Sequence, residues 1–260
     1  MPLIRTIRLN PNRMFVHLVL IFVSFMLTIL LLTRLPDKPK QYTYSADQAS
    51  NGVKLHTIVT RPDNIGLKAV SSNLSRLPDY GINGGFFWEG QLLSLAVIND
   101  RPVRGNQGEY GSGWYNIDRP RGTLVWDEAR KVFSIQVVES AEELIVADRT
   151  RYWAQGGVSM GLRNEARWAA QAVSEEMPVI DERRMRSGIA YDTANNVYLV
   201  VAPTPCTGAE FRNALRERIG EDRLVDGIFL DGDGSSQLRV AKALLPGDHR
   251  EVYQMITLLR

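Results

Sequence analysis

The feature that most constrains this 260-residue chain is an uncharged apolar run near its N-terminus. Residues 15–33 read FVHLVLIFVSFMLTILLLT, which contains one histidine and no formally charged side chain. A helix of this length spans about 28 Å, close to the ~30 Å hydrocarbon core of a bilayer. Arg5, Arg8 and Arg13 precede the run, and basic residues favour the cytoplasmic side of a membrane. We therefore predict a transmembrane signal-anchor over 15–33 and a cytoplasmic N-terminus over 1–14.

This anchor predicts a single-pass protein of the cell membrane whose remaining chain lies outside the cytoplasm. A cleaved signal peptide is the alternative, but its apolar region is typically ~7–15 residues long and ends at a small-residue cleavage pattern. No such pattern follows the apolar run here. Residues 34–50 contain two prolines and mostly polar side chains, which is typical of a linker.

Residues 51–260 are numerous enough for one domain with a substantial core. The single cysteine, Cys206, excludes an intrachain disulfide. The chain has 31 basic and 29 acidic residues, so its formal charge is only +2. A balance of this kind does not indicate a nucleic-acid partner.

Short strand patterns separated by glycine and proline dominate this region, most clearly at 94–100, 122–138 and 187–202. The last two of these segments predict hairpins. One helix is predicted over 163–173, and a second begins at a capping box formed by Thr207 and Glu210. We predict an α+β or α/β fold, namely a single domain with a mixed β-sheet flanked by helices.

The second helix lies between two strand patterns, at 197–202 and 227–231. A strand, a helix and a strand at this spacing favour a crossover unit with parallel strands. Asp231 then becomes the last residue of a buried strand. Open sheets of this kind bind ligands at the carboxyl ends of their strands.

Two glycine-rich motifs have the composition of ligand-binding loops, GINGGFF at 81–87 and LDGDGSS at 230–236. Glycine allows a backbone to approach a ligand closely, and serine hydroxyls with backbone amides can surround an anion. Taken alone, the first motif is better explained by a tight turn beside two core phenylalanines. The aspartate of the second is equally well explained as a turn residue.

Together with RSGIAY at 186–191, these motifs resemble the three sequence blocks of the phosphodiester glycosidase family, in order and at similar spacing. That family shows N-G-G-[FY]-F, an R-[ST]-[AG]-I-G-like block and L-D-G-G-G-S-S. The resemblance extends from about residue 83 to residue 238. Asn83 and Gly84 match the first block and Arg186 the second, while the third is matched by Asp231, Gly232, Gly234, Ser235 and Ser236. Asp233 departs from the pattern, because it replaces the middle glycine with a carboxylate.

The resemblance implies an exported hydrolase that cleaves a sugar C1–O–phosphate linkage in a glycosyl phosphate or an envelope polysaccharide. A cation for the phosphate and a carboxylate for the anomeric carbon or its attacking water are the groups this chemistry needs. Arg186 and Asp231 are the predicted catalytic residues for these two roles. The predicted substrate-binding residues are Asn83, Gly84, Gly85, Gly232, Asp233, Gly234, Ser235 and Ser236.

The resemblance also implies calcium in some relatives, whereas DGDGSS does not have the EF-hand spacing, so no metal ligand is assigned. Two other functions stay open. One is a non-catalytic glycan- or phosphate-binding envelope domain, because the extra charge of Asp233 beside a phosphate would oppose turnover. The other is a serine hydrolase, because GVSMG at 157–161 matches G-x-S-x-G, with Ser159 as nucleophile and His249 as base.

Overall fold

The structure is a computed structural model that describes the backbone of residues 11–32 and 41–260, with side-chain environments for 15–27 and 41–260. The chain divides into two compact units, Met1–Lys40 and Gln41–Arg260. We call them the N-terminal unit and the folded domain.

The N-terminal unit contains helix α1 (Pro11–Leu32). The side chains of 15–27 are all exposed. Over the residues that the structure describes, no helix is long and apolar enough to cross a membrane. The signal-anchor over 15–33 therefore stays a prediction, and residues 1–10 and 33–40, which belong to the predicted cytoplasmic segment and linker, lie outside the described residues.

The folded domain is rich in strands and contains two helices, α2 (Trp168–Ser174) and α3 (Gly208–Ile219). Its strands are β1 (Thr43–Gln48), β2 (Lys54–Thr60), β3 (Ile65–Ser72), β4 (Gly81–Asn83), β5 (Phe87–Trp88), β6 (Gln91–Leu92), β7 (Ala96–Ile98), β8 (Arg101–Pro102), β9 (Arg121–Asp127), β10 (Val132–Val138), β11 (Tyr152–Gly156), β12 (Val158–Ser159), β13 (Arg184–Asp192), β14 (Val197–Cys206), β15 (Leu224–Phe229), β16 (Leu238–Val240), β17 (Ala243–Leu245) and β18 (Val252–Leu258).

These strands form three larger sheets and the small β5–β6 hairpin. The central sheet has the order β1-β2-β14-β13-β15-β12, the second sheet β10-β9-β11-β7-β8, and the third sheet β17-β16-β4-β18-β3. The predicted hairpins are confirmed as β9–β10 and β13–β14. The predicted linker is too long, because part of it forms β1, which pairs antiparallel with β2 over its whole length.

The predicted crossover unit is present with one difference. Strands β14 and β15 each pair antiparallel with β13, so they run parallel to one another with β13 between them. Helix α3 connects them. Its capping box forms as predicted, with Glu210 N donating to Thr207 Oγ1 and Thr207 N donating to Glu210 Oε2. Gly220 ends the helix at φ 113°, a conformation that side chains with a Cβ rarely adopt.

The other helix is shorter than predicted. Helix α2 begins only at Trp168, because residues 163–167 form turns. Ala169, Ala170 and Val173 are exposed, and Ala172 is the residue that α2 buries. A run of alanines has high helix propensity but little apolar area, so its periodicity is a weak guide to the packed face.

Alternation along β15 explains how the central sheet separates two parts of the core. Phe229 packs against Phe211 and Leu215 of α3, with Val158 and Met160 in the same cluster. The neighbouring Ile228 faces the opposite side, where it packs with residues of the second and third sheets. Side chains alternate between the two faces of a strand, so the last residue of β15, Phe229, lies on the face of the central sheet that α3 covers.

Candidate active site

Asp231 lies two residues beyond the end of β15, where β4 of the third sheet ends beside it. Its backbone N donates to Gly84 O at 3.2 Å, and its carbonyl accepts from Asn83 Nδ2 at 2.8 Å. Leu230 N continues the pairing with β13 by donating to Ser187 O. The sequence placed Asp231 at a strand end, and the structure adds that the two glycine-rich motifs meet there.

The carboxyl group of Asp231 has an unusual protonation equilibrium. Part of the residue is accessible to solvent, but the surrounding protein desolvates the carboxyl group and raises its pKa to about 7. Hydrogen bonding with Ser235 and Gly232 and the positive charge of Arg250 act in the opposite direction, and Gly232 N donates to Oδ1 at 3.0 Å. A carboxyl group that titrates near neutral pH is suited to proton transfer or to attack on carbon.

The loop after Asp231 forms a turn of 3₁₀ helix over Asp233–Ser235. The amides of Ser235 and Ser236 donate to Gly232 O and Asp233 O within this turn. The predicted anion nest of backbone amides is therefore largely occupied by the loop's own hydrogen bonds.

The hydroxyl groups of the same loop are not occupied in this way. Ser235 and Ser236 are each 1% exposed. Ser236 Oγ has no hydrogen-bond partner among the described residues, whereas the interaction of the Ser235 hydroxyl with the Asp231 carboxyl group lowers the pKa of that group. Buried hydroxyls without partners are costly, so Ser236, next to a Ser235 held only by the titrating carboxyl group, points to a ligand that would pair with this loop.

Two ion pairs that the sequence did not indicate border the loop. Asp233 Oδ2 lies 3.4 Å from Arg184 Nη1, and Arg184 also pairs with Glu182. Arg250 pairs with Asp248, whose carboxylate occupies the space beside Gly234. The extra negative charge of Asp233 is thus partly compensated by Arg184. Arg184 lies only two residues before Arg186 but matches no position of the second block, and Arg250 lies outside all three motifs.

Asn83 is 1% exposed, and its side-chain amide is used entirely within the protein. Its Nδ2 donates to the carbonyls of Asp231 and Gly84, and its Oδ1 accepts from Ser187 Oγ and Gln237 N. All four hydrogen bonds are between 2.8 and 3.2 Å. Asn83 therefore positions Asp231, and its side-chain amide has no group left for the substrate contact that the sequence predicted.

Gly84 and Gly85 are required by packing. A Cβ on Gly84 would overlap the side-chain amide of Gln254, and a Cβ on Gly85 would overlap Ser94. Gly85 N also donates to Gln254 Oε1 at 2.7 Å, and Gln254 Nε2 donates to Gln155 Oε1 at 2.5 Å. The two glycines thus allow the hydrogen-bonded side chains of Gln254 and Gln155 to approach the backbone of this motif closely.

Arg186 lies on β13 beside Gly232 but is 4% exposed. Its Nε donates to Cys206 O at 3.1 Å, and its Nη2 donates to Val179 O at 2.6 Å and to Glu182 O at 2.7 Å. Burial lowers the pKa of this guanidinium. Bidentate binding of a phosphate needs two adjacent free nitrogens of the guanidinium. Because Nη2 belongs to both the Nε–Nη2 pair and the Nη1–Nη2 pair, its hydrogen bonds leave neither pair free. Arg186 therefore fixes the segment 179–182 against β14 and is poorly placed for the predicted phosphate clamp.

The serine-hydrolase alternative lacks the geometry that its motif requires. Ser159 lies in β12, paired with Ile228, and not on a strained strand-to-helix turn. Its backbone N donates to Glu175 Oε2 at 2.7 Å, and a Cβ on Gly122 would overlap its hydroxyl. His249 is exposed in the turn before β18, and no hydrogen bond joins it to Ser159 in residues 41–260.

Metal ligands and cavities give no further support to the predicted site. Among the described residues, no group of three or more His, Cys, Asp or Glu side chains is arranged to hold a metal ion. A cavity of about 540 Å³ lies elsewhere in the folded domain, lined in part by Trp126, Trp153 and Lys131. None of the predicted site residues lines it.

The fold and the site together define a β-rich domain in which the carboxyl group of Asp231, just after β15 of the central sheet, has a pKa of about 7. No protein-family model and no curated protein sequence matches the chain. Among solved structures, it is similar to the catalytic domain of zebrafish N-acetylglucosamine-1-phosphodiester alpha-N-acetylglucosaminidase, auto-inhibited by its pro-peptide. The TM-score is 0.57 at 12% identity, over 87% of this chain and 86% of that chain.

A hypothetical protein from Synechocystis is also similar, with a TM-score of 0.51 at 16% identity, over 83% of this chain and 61% of that chain. At such identities the likeness shows a distant relationship in fold. It supports the overall architecture that the three sequence blocks implied, and it leaves the activity to the residues of the site.

Proposed function

We propose that this protein is a hydrolase that cleaves glycosyl-1-phosphodiesters, the C1–O–phosphate linkages of a glycan or of an activated sugar. The observation that carries the proposal is Asp231, a carboxyl group with a pKa raised to about 7 in a loop with two buried serine hydroxyls, of which Ser235 interacts only with Asp231 and Ser236 has no partner. The likeness in fold to a domain that acts on an N-acetylglucosamine-1-phosphodiester supports it.

The leaving group in this reaction is a phosphate monoester, which needs little protonation. The group that limits the reaction is then the one that attacks the anomeric carbon or activates water. Asp231 in its ionised form has this role, as base or nucleophile. The hydroxyls of Ser235 and Ser236 bind the substrate's oxygens, and Ser236 thereby gains a hydrogen bond that the protein alone does not provide.

We further propose that the folded domain acts outside the cytoplasm and that residues 15–33 anchor it to the cell membrane. The length and lack of charge of that segment support this location. Envelope polysaccharides and lipid-linked or nucleotide-linked sugars are the substrates accessible to such a domain.

The test uses the full-length protein with UDP-N-acetylglucosamine and an aryl N-acetylglucosamine-1-phosphodiester, with calcium or with chelator. Free sugar is measured over time for the wild type and for Asp231→Asn. Sugar release by the wild type that Asp231→Asn reduces at least 100-fold is the expected result. Saturable binding without release would instead favour the non-catalytic glycan-binding domain. If the protein neither binds nor cleaves these substrates, the proposal is refuted for them.

A further inference from the structure

Arg121, at the start of β9, is the arginine near the site whose guanidinium has an open edge. Its Nε donates to Glu175 O at 3.1 Å, and its guanidinium carbon lies 5.5 Å from the centre of the Phe86 ring. Within residues 41–260, its two Nη groups have no hydrogen-bond partner. The residue as a whole is half-buried, and the negative charges of Glu176, Asp118 and Glu175 act on its guanidinium without forming a hydrogen bond with its Nη groups.

The other arginines around the site differ in this respect. Those near the loop or near Arg121 are paired with carboxylates: Arg119 with Glu176, Arg184 with Glu182 and Asp233, and Arg250 with Asp248. Arg186 is bound to three carbonyls. A phosphate would have to displace a carboxylate from each paired arginine, whereas the Nη1–Nη2 edge of Arg121 is free for a two-nitrogen contact.

Two chains of contacts connect Arg121 to Asp231. Phe86, under the guanidinium, is two residues after Gly84, whose carbonyl accepts from Asp231 N at 3.2 Å. Two residues of chain span at most about 7 Å. Phe86 also packs on the same core cluster as Phe229, on the α3 side of the central sheet.

The second connection passes through β9 itself. Gly122, the next residue after Arg121, accepts at its carbonyl from Gly157 N at 2.9 Å. Gly157 in turn approaches the carbonyl of Phe229 so closely that a Cβ would overlap it. Phe229 is the last residue of β15, two before Asp231. Both connections therefore place Arg121 beside the carboxyl end of β15.

We propose that Arg121, supported by the ring of Phe86, binds the phosphate of the substrate, the role that the sequence had suggested for Arg186. This inference rests on the proposed function for the identity of the ligand, a phosphodiester. A guanidinium stacked on an aromatic ring keeps its planar edge oriented and loses little entropy when an anion binds.

The test measures binding of inorganic phosphate to the full-length protein by calorimetry or ³¹P NMR. Arg121→Ala is expected to weaken binding at least 10-fold. Arg121→Lys keeps the charge but loses the two-nitrogen edge, so an intermediate loss of about 3- to 10-fold is expected. Arg151→Ala is the matched control: Arg151 pairs with Glu128 just beyond the other end of β9, roughly 20 Å along the strand, and its removal should leave binding unchanged.

The outcomes separate this inference from the proposed function. Phosphate binding that is lost in Arg121→Ala, with no sugar release by the wild type, would refute the proposed activity and keep the anion site. Sugar release and phosphate binding that are both unaffected in Arg121→Ala would refute the inference and keep the activity. Equal losses in Arg121→Ala and Arg151→Ala, or no phosphate binding by the wild type, would also refute the inference. If Arg121→Ala does not fold, phosphate binding is measured instead in Arg121→Lys, provided that its melting temperature equals that of the wild type. Unchanged binding in that variant would refute the inference.

Discussion

The side-chain amide of Asn83 donates a 2.8 Å hydrogen bond to the main-chain carbonyl of Asp231, which lies 148 residues later in the chain. This contact joins the end of β4 in the third sheet to the end of β15 in the central sheet. The backbone of Asp231 is thereby held in place, while its carboxyl group is not used in this contact.

Asn83→Asp should destabilise the protein by roughly 2–3 kcal/mol at neutral pH, because two buried carbonyls lose their donor. Activity should fall with it, since Asp231 loses its anchor. Thermal melting measures the change in stability. Asn195→Asp is the control, because Asn195 makes its side-chain bond to Lys131 O in an exposed turn, and its melting temperature should barely change. Equal losses in both variants would contradict a special role for Asn83.

Asp231→Asn should raise stability at alkaline pH while it abolishes turnover. The folded-state pKa of Asp231 is about 7, above the ordinary value of 3.8, so the folded protein retains a proton that the unfolded chain has lost. Stability contributed by this group is therefore lost as the pH rises from about 4 to about 7, by roughly 1–4 kcal/mol in total. The melting temperature of Asp231→Asn should exceed that of the wild type more at pH 8 than at pH 4.5. A gain of the same size at both pH values would show that Asp231 does not titrate near neutrality.

The rate of sugar release should rise with pH through about 7. Asp231 acts in its ionised form, and its pKa in the folded protein is about 7. A profile of kcat/KM against pH for the wild type measures this ionisation in the free enzyme. A rate that falls as the pH rises through 7 would assign Asp231 the role of a general acid instead.

Ser235→Ala and Ser236→Ala should weaken activity about 10-fold or more without lowering stability. Ser236→Ala removes a buried hydroxyl that has no hydrogen bond in the folded protein, and Ser235→Ala removes one that interacts only with the Asp231 carboxyl group, so the melting temperature should stay nearly the same or rise. Ser187→Ala is the matched control, because its equally buried hydroxyl donates to Asn83 Oδ1 at 2.8 Å. That variant should lose about 1 kcal/mol. A marked loss of stability in the loop variants would show that their hydroxyls already have a structural role.

Arg186→Met should destabilise the protein by about 2–4 kcal/mol, since three buried carbonyls lose a charged donor. Arg184→Met removes an arginine two residues away whose ion pairs are exposed, so its effect should stay within about 1 kcal/mol. Denaturant unfolding measures both. Loss of activity in Arg186→Met with unchanged stability would restore the phosphate-clamp role that the sequence suggested.

Local features of the fold could be predicted because their causes are local. The capping box of Thr207 and Glu210 forms as expected, since a side chain three residues away satisfies the helix's free amides. The alternating strands of β9–β10 and β13–β14 and the position of Asp231 after an apolar strand follow from the same kind of pattern. The start of α2 was predicted too early, because residues 163–167 form turns before the helix begins at Trp168.

The sequence by itself determined the composition of the site: a strand-ending carboxylate, a loop of glycine and serine, and a second glycine motif. The tertiary structure decided what each of these residues does. Whether an arginine can bind a phosphate depends on which of its five donors the folded protein already uses, and those partners come from distant segments. The side-chain amide of Asn83 and the Nε and Nη2 groups of Arg186 are engaged by such partners, while Ser236 Oγ is left without one. The competition for buried hydrogen bonds exists only once the sheets have packed, which is why residue type and spacing alone could not show which donors of Arg186 stay free.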